Sequence, residues 1–155
     1  MHIGFDDARS ILAGALEKAG LESPGEIAWA TVWLEACGYP GLQMLAVALA
    51  DEARSVPLTR DLIGFDLQMV SCAFLAPGII RDVRSNGRVF LRNVRHGLFL
   101  LPFTVRENLG IGCPVDPSFA VGGERTKNPY AEKLAVAMET GLTIDDATWQ
   151  AINAG

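Results

Sequence analysis

The stretch Ser23-Pro24-Gly25-Glu26, followed by Ile27, Trp29, Ala30, Val32, Trp33, Leu34 and Ala36, constrains this chain more than any other. Its first four residues form a capping box, in which the serine hydroxyl and the glutamate each satisfy a free backbone N–H and proline suits the first helical position. The helix that follows, to about Cys37, is apolar on most sides. Such a helix has no face to offer water, so it belongs at the centre of a helical layer.

Its neighbours are predicted from the same rules. Ala8, Ile11, Leu12, Ala15, Leu16 and Ala19 repeat at helical spacing, with Asp6 as N-cap and Gly20 as stop. Gly38-Tyr39-Pro40-Gly41 breaks the chain before a third helix from Gly41 to about Ala53. Near the far end, Asn128-Pro129 starts a helix that Gly141 stops, and Thr143-Ile144-Asp145-Asp146 starts a final one with Ile144, Ala147, Ala151 and Ile152 on one side.

The middle reads differently. Met69–Leu75 is a short apolar run that predicts a buried strand, and Pro77-Gly78 opens a short helical turn. Arg88–Val94 and Leu98–Phe103, rich in Val, Phe and Leu and separated by Arg95-His96-Gly97, predict a β-hairpin. Residues 110–123 read as loop. The expected architecture is one α+β domain over residues 1–155: an N-terminal helical layer, a small mainly antiparallel sheet with a central hairpin, and two C-terminal helices.

Charge is distributed unevenly. Six of the ten arginines (81, 84, 88, 92, 95 and 106) lie in one stretch with Asp82 as its only acid, a local charge of +5. The whole chain carries −5, so the rest carries −10. A guanidinium fork matches carboxylate or phosphate bidentately, which makes Arg88, Arg92, Arg95 and His96 the candidate ligands of an anionic small molecule. On a strand Arg88 and Arg92 share a face. Charged residues more often solvate a surface or pair with acids of the chain or a partner, and that reading outweighs the binding site.

Other chemistry is sparse. Cys113, flanked by Gly112 and Pro114, is the candidate reactive thiol, with His96 and Asp116 as raw material for nucleophilic catalysis. Cys37 and Cys72, among apolar residues, read as core, and Trp29 and Trp33 likewise. No P-loop, dinucleotide fingerprint or G-x-S-x-G is present, and two histidines give no metal-ligand cluster. No catalytic set, metal or cofactor is assigned.

An acidic chain with pI near 5.0 lacks the wide basic surface that nucleic acid requires. No apolar run is long enough to span a bilayer, and the N-terminus has no leader pattern. Three scattered cysteines without C-x-x-C suggest reduced thiols in a cytoplasmic protein. Mean hydropathy of +0.24 is high for a soluble monomer and points to a homo-oligomer.

The segment Trp33-Leu34-Glu35-Ala36-Cys37-Gly38-Tyr39-Pro40-Gly41-Leu42-Gln43-Met44-Leu45 resembles the N-terminal region of the malate/L-lactate dehydrogenase type-2 oxidoreductases. That family has a Ser-His-Gly break between two helices; here Tyr39-Pro40-Gly41 occupies it, and Pro40 stands where the family carries its catalytic histidine. Proline neither donates nor accepts a proton, so that chemistry does not carry over. The overall layout is similar to a bacterial domain-of-unknown-function family, which implies a cytoplasmic protein whose members run longer at the C-terminus.

Three functions are therefore expected in order: binding of an anionic metabolite through the arginine hairpin, an enzyme (an oxidoreductase relative or cysteine-dependent), or an interaction protein using the arginines for subunit contacts.

Overall fold

The computed structural model describes residues 1–109 and 130–154. They divide between two compact units: Met1–Ala50 with the described part of Asn128–Gly155, and the described part of Asp51–Lys127. The class is α+β, with seven α-helices and two short strand pairs among the described residues.

The first unit is a helical layer. α1 (Phe5–Lys18) buries Phe5, Ala8, Leu12 and Leu16, the stripe a 3.6-residue period places on one face. α2 (Pro24–Ala36) buries seven residues from Ile27 to Leu34 and packs on α1, on α3 (Gly41–Leu49) and on α6 (Ala131–Thr140). The helix without a polar face is the central one. Thr31, fully buried within it, satisfies its hydroxyl by donating to the Ile27 carbonyl at 2.8 Å.

Four start and stop assignments differ from the expectation, the first being the end of α3, at Leu49 rather than near Ala53. α1 begins at Phe5 with Gly4 as N-cap, so Asp6 lies in the first turn, where its charge complements the helix dipole. Ser23 caps α2 in a left-handed conformation without a side-chain capping bond. α7 (Asp146–Asn153) is capped by Asp145, whose carboxylate accepts the Thr148 N–H at 2.9 Å, and it buries Trp149 and Ile152 while Ala147 and Ala151 stay exposed. Gly141 ends α6 as expected. An antiparallel pair, β1 (His2–Ile3) with β4 (Leu142–Thr143), completes this unit.

α2 and α3 meet closely at their junction. A Cβ on Gly41 would lie 2.6 Å from the Thr31 carbonyl oxygen, so no larger residue fits. Glu35 reaches across the break and accepts the Leu42 N–H at 2.9 Å.

The second unit departs from the expected hairpin. Residues 72–86 form α4 (Cys72–Asn86), with Pro77 inside it, and Gly97–Phe99 is a 3-10 turn leading into α5 (Leu100–Glu107). Neither Met69–Leu75 nor Leu98–Phe103 is a strand, and Arg88–Val94 contributes only β3 (Leu91–Arg92). The reason lies in burial: Leu98, Phe99, Leu100, Leu101 and Phe103 are all buried, a continuous pattern that a helix packed on several sides satisfies. Pro102, in the first turn of α5, costs that helix little but would break a strand ladder. β3 pairs in parallel with β2 (Phe65–Asp66), and α4 is the crossover a parallel pair requires. The sheet expected to be mainly antiparallel is thus one antiparallel and one parallel pair among the described residues.

Candidate functional site

The arginine segment lies on and beside the parallel pair. Phe65 N donates to Phe90 O at 2.8 Å, Leu67 N to Arg92 O at 2.9 Å, Met69 N to Asn93 O at 3.0 Å and Cys72 N to Arg95 O at 2.9 Å. The chain from Phe65 to Cys72 is therefore fastened along its length to the chain from Phe90 to Arg95.

Three of the arginines are held by three different acids. Arg92 pairs with Asp61, Arg95 with Asp51, and Arg84 with Glu107 through two donors. Arg60, which the sequence reading did not single out, donates to Asp82 at 2.7 Å and to the carbonyls of Gly87 and Arg88 at 2.6 and 2.9 Å. Arg88 is exposed, and no strand places it on a common face with Arg92. Arg84 holds the Glu107 carboxyl below its ordinary range. Acids distant in sequence supplied the partners, which is why local charge counting saw only an excess.

Between Arg60 and β2 the chain makes a tight turn. The Asp61 carboxylate accepts the N–H groups of Ile63 and Gly64, both at 2.8 Å, while Asp61 N donates to Gly64 O at 2.9 Å. Those backbone donors, with Arg92, pull the Asp61 carboxyl below its ordinary value. Gly64, at φ +141°, sits so close to Phe90 that a Cβ would lie 2.1 Å from the Phe90 carbonyl oxygen. This closed turn holds apolar side chains out into solvent: Leu62 is 107 % exposed, Ile63 58 % and Phe90 64 %. Three exposed apolar side chains thus stand on or beside one closed turn, with the Asp61–Arg92 pair on the same turn and Arg88 two residues before Phe90.

His96 is hydrogen-bonded within its own unit. Its Nδ1 lies 2.6 Å from the hydroxyl of Ser71, which is completely buried and also accepts the Ala73 N–H at 3.1 Å as N-cap of α4. Among the described residues the ring nitrogen is the one acceptor within reach of the serine hydroxyl, an arrangement that a neutral ring protonated on Nε2 satisfies. Burial of the ring, with Arg95 beside it, lowers its pKa below the ordinary 6.5. A serine with no solvent exposure is not open to a substrate.

Left-handed residues concentrate on the two fastened segments: Gln68, Met69, Asn93 and His96 have φ between 52° and 61°. Asp66 stabilises them, accepting from Gln68 N at 3.0 Å and Asn93 Nδ2 at 2.8 Å. Neither the bonds nor the strain left a motif in the sequence.

Cys37 and Cys72 are buried, and burial pushes the Cys37 thiol up to about 11. Cys113, Asp116, the Asn128-Pro129 helix start and the expected loop of 110–123 lie outside the described residues. Among the described residues no group of His, Cys, Asp and Glu is placed to hold a metal ion, and no helix is long and apolar enough to cross a membrane.

Comparison with protein-family models, with curated proteins and with solved structures finds no match to this chain. Its function is therefore read from its own residues.

Proposed function

We propose that this chain acts through protein contact, as a self-associating subunit whose docking face is the Leu62–Ile63 turn with Phe90. The observation that carries this reading is a fully exposed leucine held on a turn closed by Asp61. A pre-ordered apolar tip loses little conformational freedom on docking, so its burial goes into affinity. The occupant proposed is a second copy. The patch bears both signs, Asp61 half exposed and Arg88 exposed on the adjoining segment. Two copies related by a two-fold axis bring Arg88 of each toward Asp61 of the other. The high mean hydropathy of +0.24 fits a chain that covers apolar surface on assembly.

Sedimentation across a concentration series tests it. Wild type associates reversibly, and Leu62→Asp or Phe90→Asp weakens association at least about tenfold without loss of fold, since both side chains project into solvent. Arg88→Glu weakens it also, and added salt does the same. A wild type that sediments as a monomer at every concentration overturns the proposal.

Anion binding has one observation in its favour: Arg92 Nε is buried without a hydrogen-bond partner among the described residues. An anion would have to displace Asp61 from Arg92. Asp61→Asn should then increase the thermal stabilisation given by phosphate or citrate, and equal responses in both proteins exclude that reading.

A further inference from the structure

We propose that the Ser71–His96 pair is an acid-operated latch that holds segment 92–96 against the start of α4. The argument is one of hydrogen-bond direction. With a neutral ring the relay is complete: Ala73 N–H donates to Ser71 Oγ, and the Ser71 hydroxyl donates to His96 Nδ1. A proton arriving on Nδ1 turns that acceptor into a donor. Both lone pairs of Oγ can then be filled, but the hydroxyl hydrogen is left in a fully buried position with no acceptor among the described residues.

The charged groups acting on the ring reinforce the effect. Arg95, next in sequence, opposes a second positive charge, while Asp51, already paired with Arg95, offsets this in part. Ring burial opposes the charge most. A folded value below 6.5 means the neutral ring's contribution is fully present above 6.5 and is lost as pH falls through the folded value.

What the latch holds is specific. Ser71 and Arg95 form an isolated parallel bridge, Cys72 N donates to Arg95 O, and His96 itself is left-handed at φ 56°. Strain at residues 93 and 96 is tolerated while those bonds over-determine the backbone. The same segment supplies Arg92 to the Asp61 turn. Resting on the docking face proposed above, acidification would loosen the backbone that displays Leu62 and thus weaken association.

Amide hydrogen exchange at a dilution where single copies predominate tests the latch without depending on docking. Corrected for intrinsic rates, protection of the Met69 and Cys72 amides should fall about tenfold or more between pH 7.5 and 5. His96→Asn keeps a residue that tolerates the left-handed backbone and an acceptor near the Nδ1 position, and it should abolish that fall. Ser71→Ala removes the donor to Nδ1 and should move the His96 titration upward in a proton NMR series. Equal protection at both pH values in wild type, or a His96 titration unmoved by Ser71→Ala, overturns the latch. Leu62→Asp leaves the exchange profile unchanged, so failure of the docking face is read separately in the sedimentation series.

Discussion

Glu35 lies at the end of α2, yet its carboxylate accepts the N–H of Leu42 in the first turn of α3. One helix thus caps the next across a break of a few residues, and the cap is a partly buried acid whose pKa burial raises above 4.5. A raised folded value means the folded chain keeps a proton that the unfolded chain has lost. Its contribution is full below 4.5 and is lost as pH rises through the folded value. Glu35→Gln retains an acceptor without the charge, so it should be at least as stable as wild type at pH 7 and flatten the pH profile just above 4.5. Glu35→Ala, which leaves Leu42 uncapped, should cost about 1 kcal/mol in chemical denaturation.

Gly41→Ala should destabilise the first unit by about 1–3 kcal/mol, because its Cβ would meet the Thr31 carbonyl and Leu34 Cβ, both held by the central helix. Thermal unfolding against the Gly25→Ala control, where a Cβ meets nothing within 4 Å, isolates the clash.

Thiol labelling should separate the cysteines. Cys37 and Cys72 are both buried away from reagent, and burial also pushes the Cys37 thiol up to about 11, against thiolate formation at neutral pH. Peptide mapping after brief alkylation of the folded chain should find both unmodified, with labelling only after denaturant is added.

The Arg84–Glu107 pair lies on the surface, and Arg84→Ala should change stability by no more than about 1 kcal/mol at moderate salt. Phe99→Ala, in a fully buried position, should cost about 3–5 kcal/mol. Urea denaturation of the two variants measures the contrast directly.

The helices of the first unit were readable because their apolar residues keep one period between clear breaks: Leu12 and Leu16 in α1, Gly141 after α6. Pro77 and Pro102 misled the reading in opposite ways. Pro77 marks a boundary by local rule, yet Cys72, Leu75, Ala76, Ile79 and Ile80 run straight through it at helical spacing. Leu98–Phe103 has strand-like composition, yet it contains a proline that a paired strand excludes. Serine before an apolar run was the available signal for α4, since Ser71 is its N-cap. The fates of Arg84, Arg92 and Arg95 were beyond sequence for a different reason. Their partners Glu107, Asp61 and Asp51 are brought near by tertiary pairing, which local composition does not encode.

The parallel pairing of Phe65 with Leu91 has a kinetic consequence. Positions 65 and 91 are 26 residues apart, and the register between them cannot be set by a tight turn as in a hairpin. Closing the ladder means closing that long loop, which costs more entropy than a hairpin. The pairing and the Arg92 anchor of the Asp61 turn are non-local contacts, unlike the turn's own bonds between residues 61 and 64. During synthesis, Leu62 and Ile63 emerge before α4, and Phe90 only after it. A nascent chain paused between the two segments therefore presents Leu62 and Ile63 without Phe90 and without the ladder that orients them, the kind of exposed apolar surface that chaperones capture.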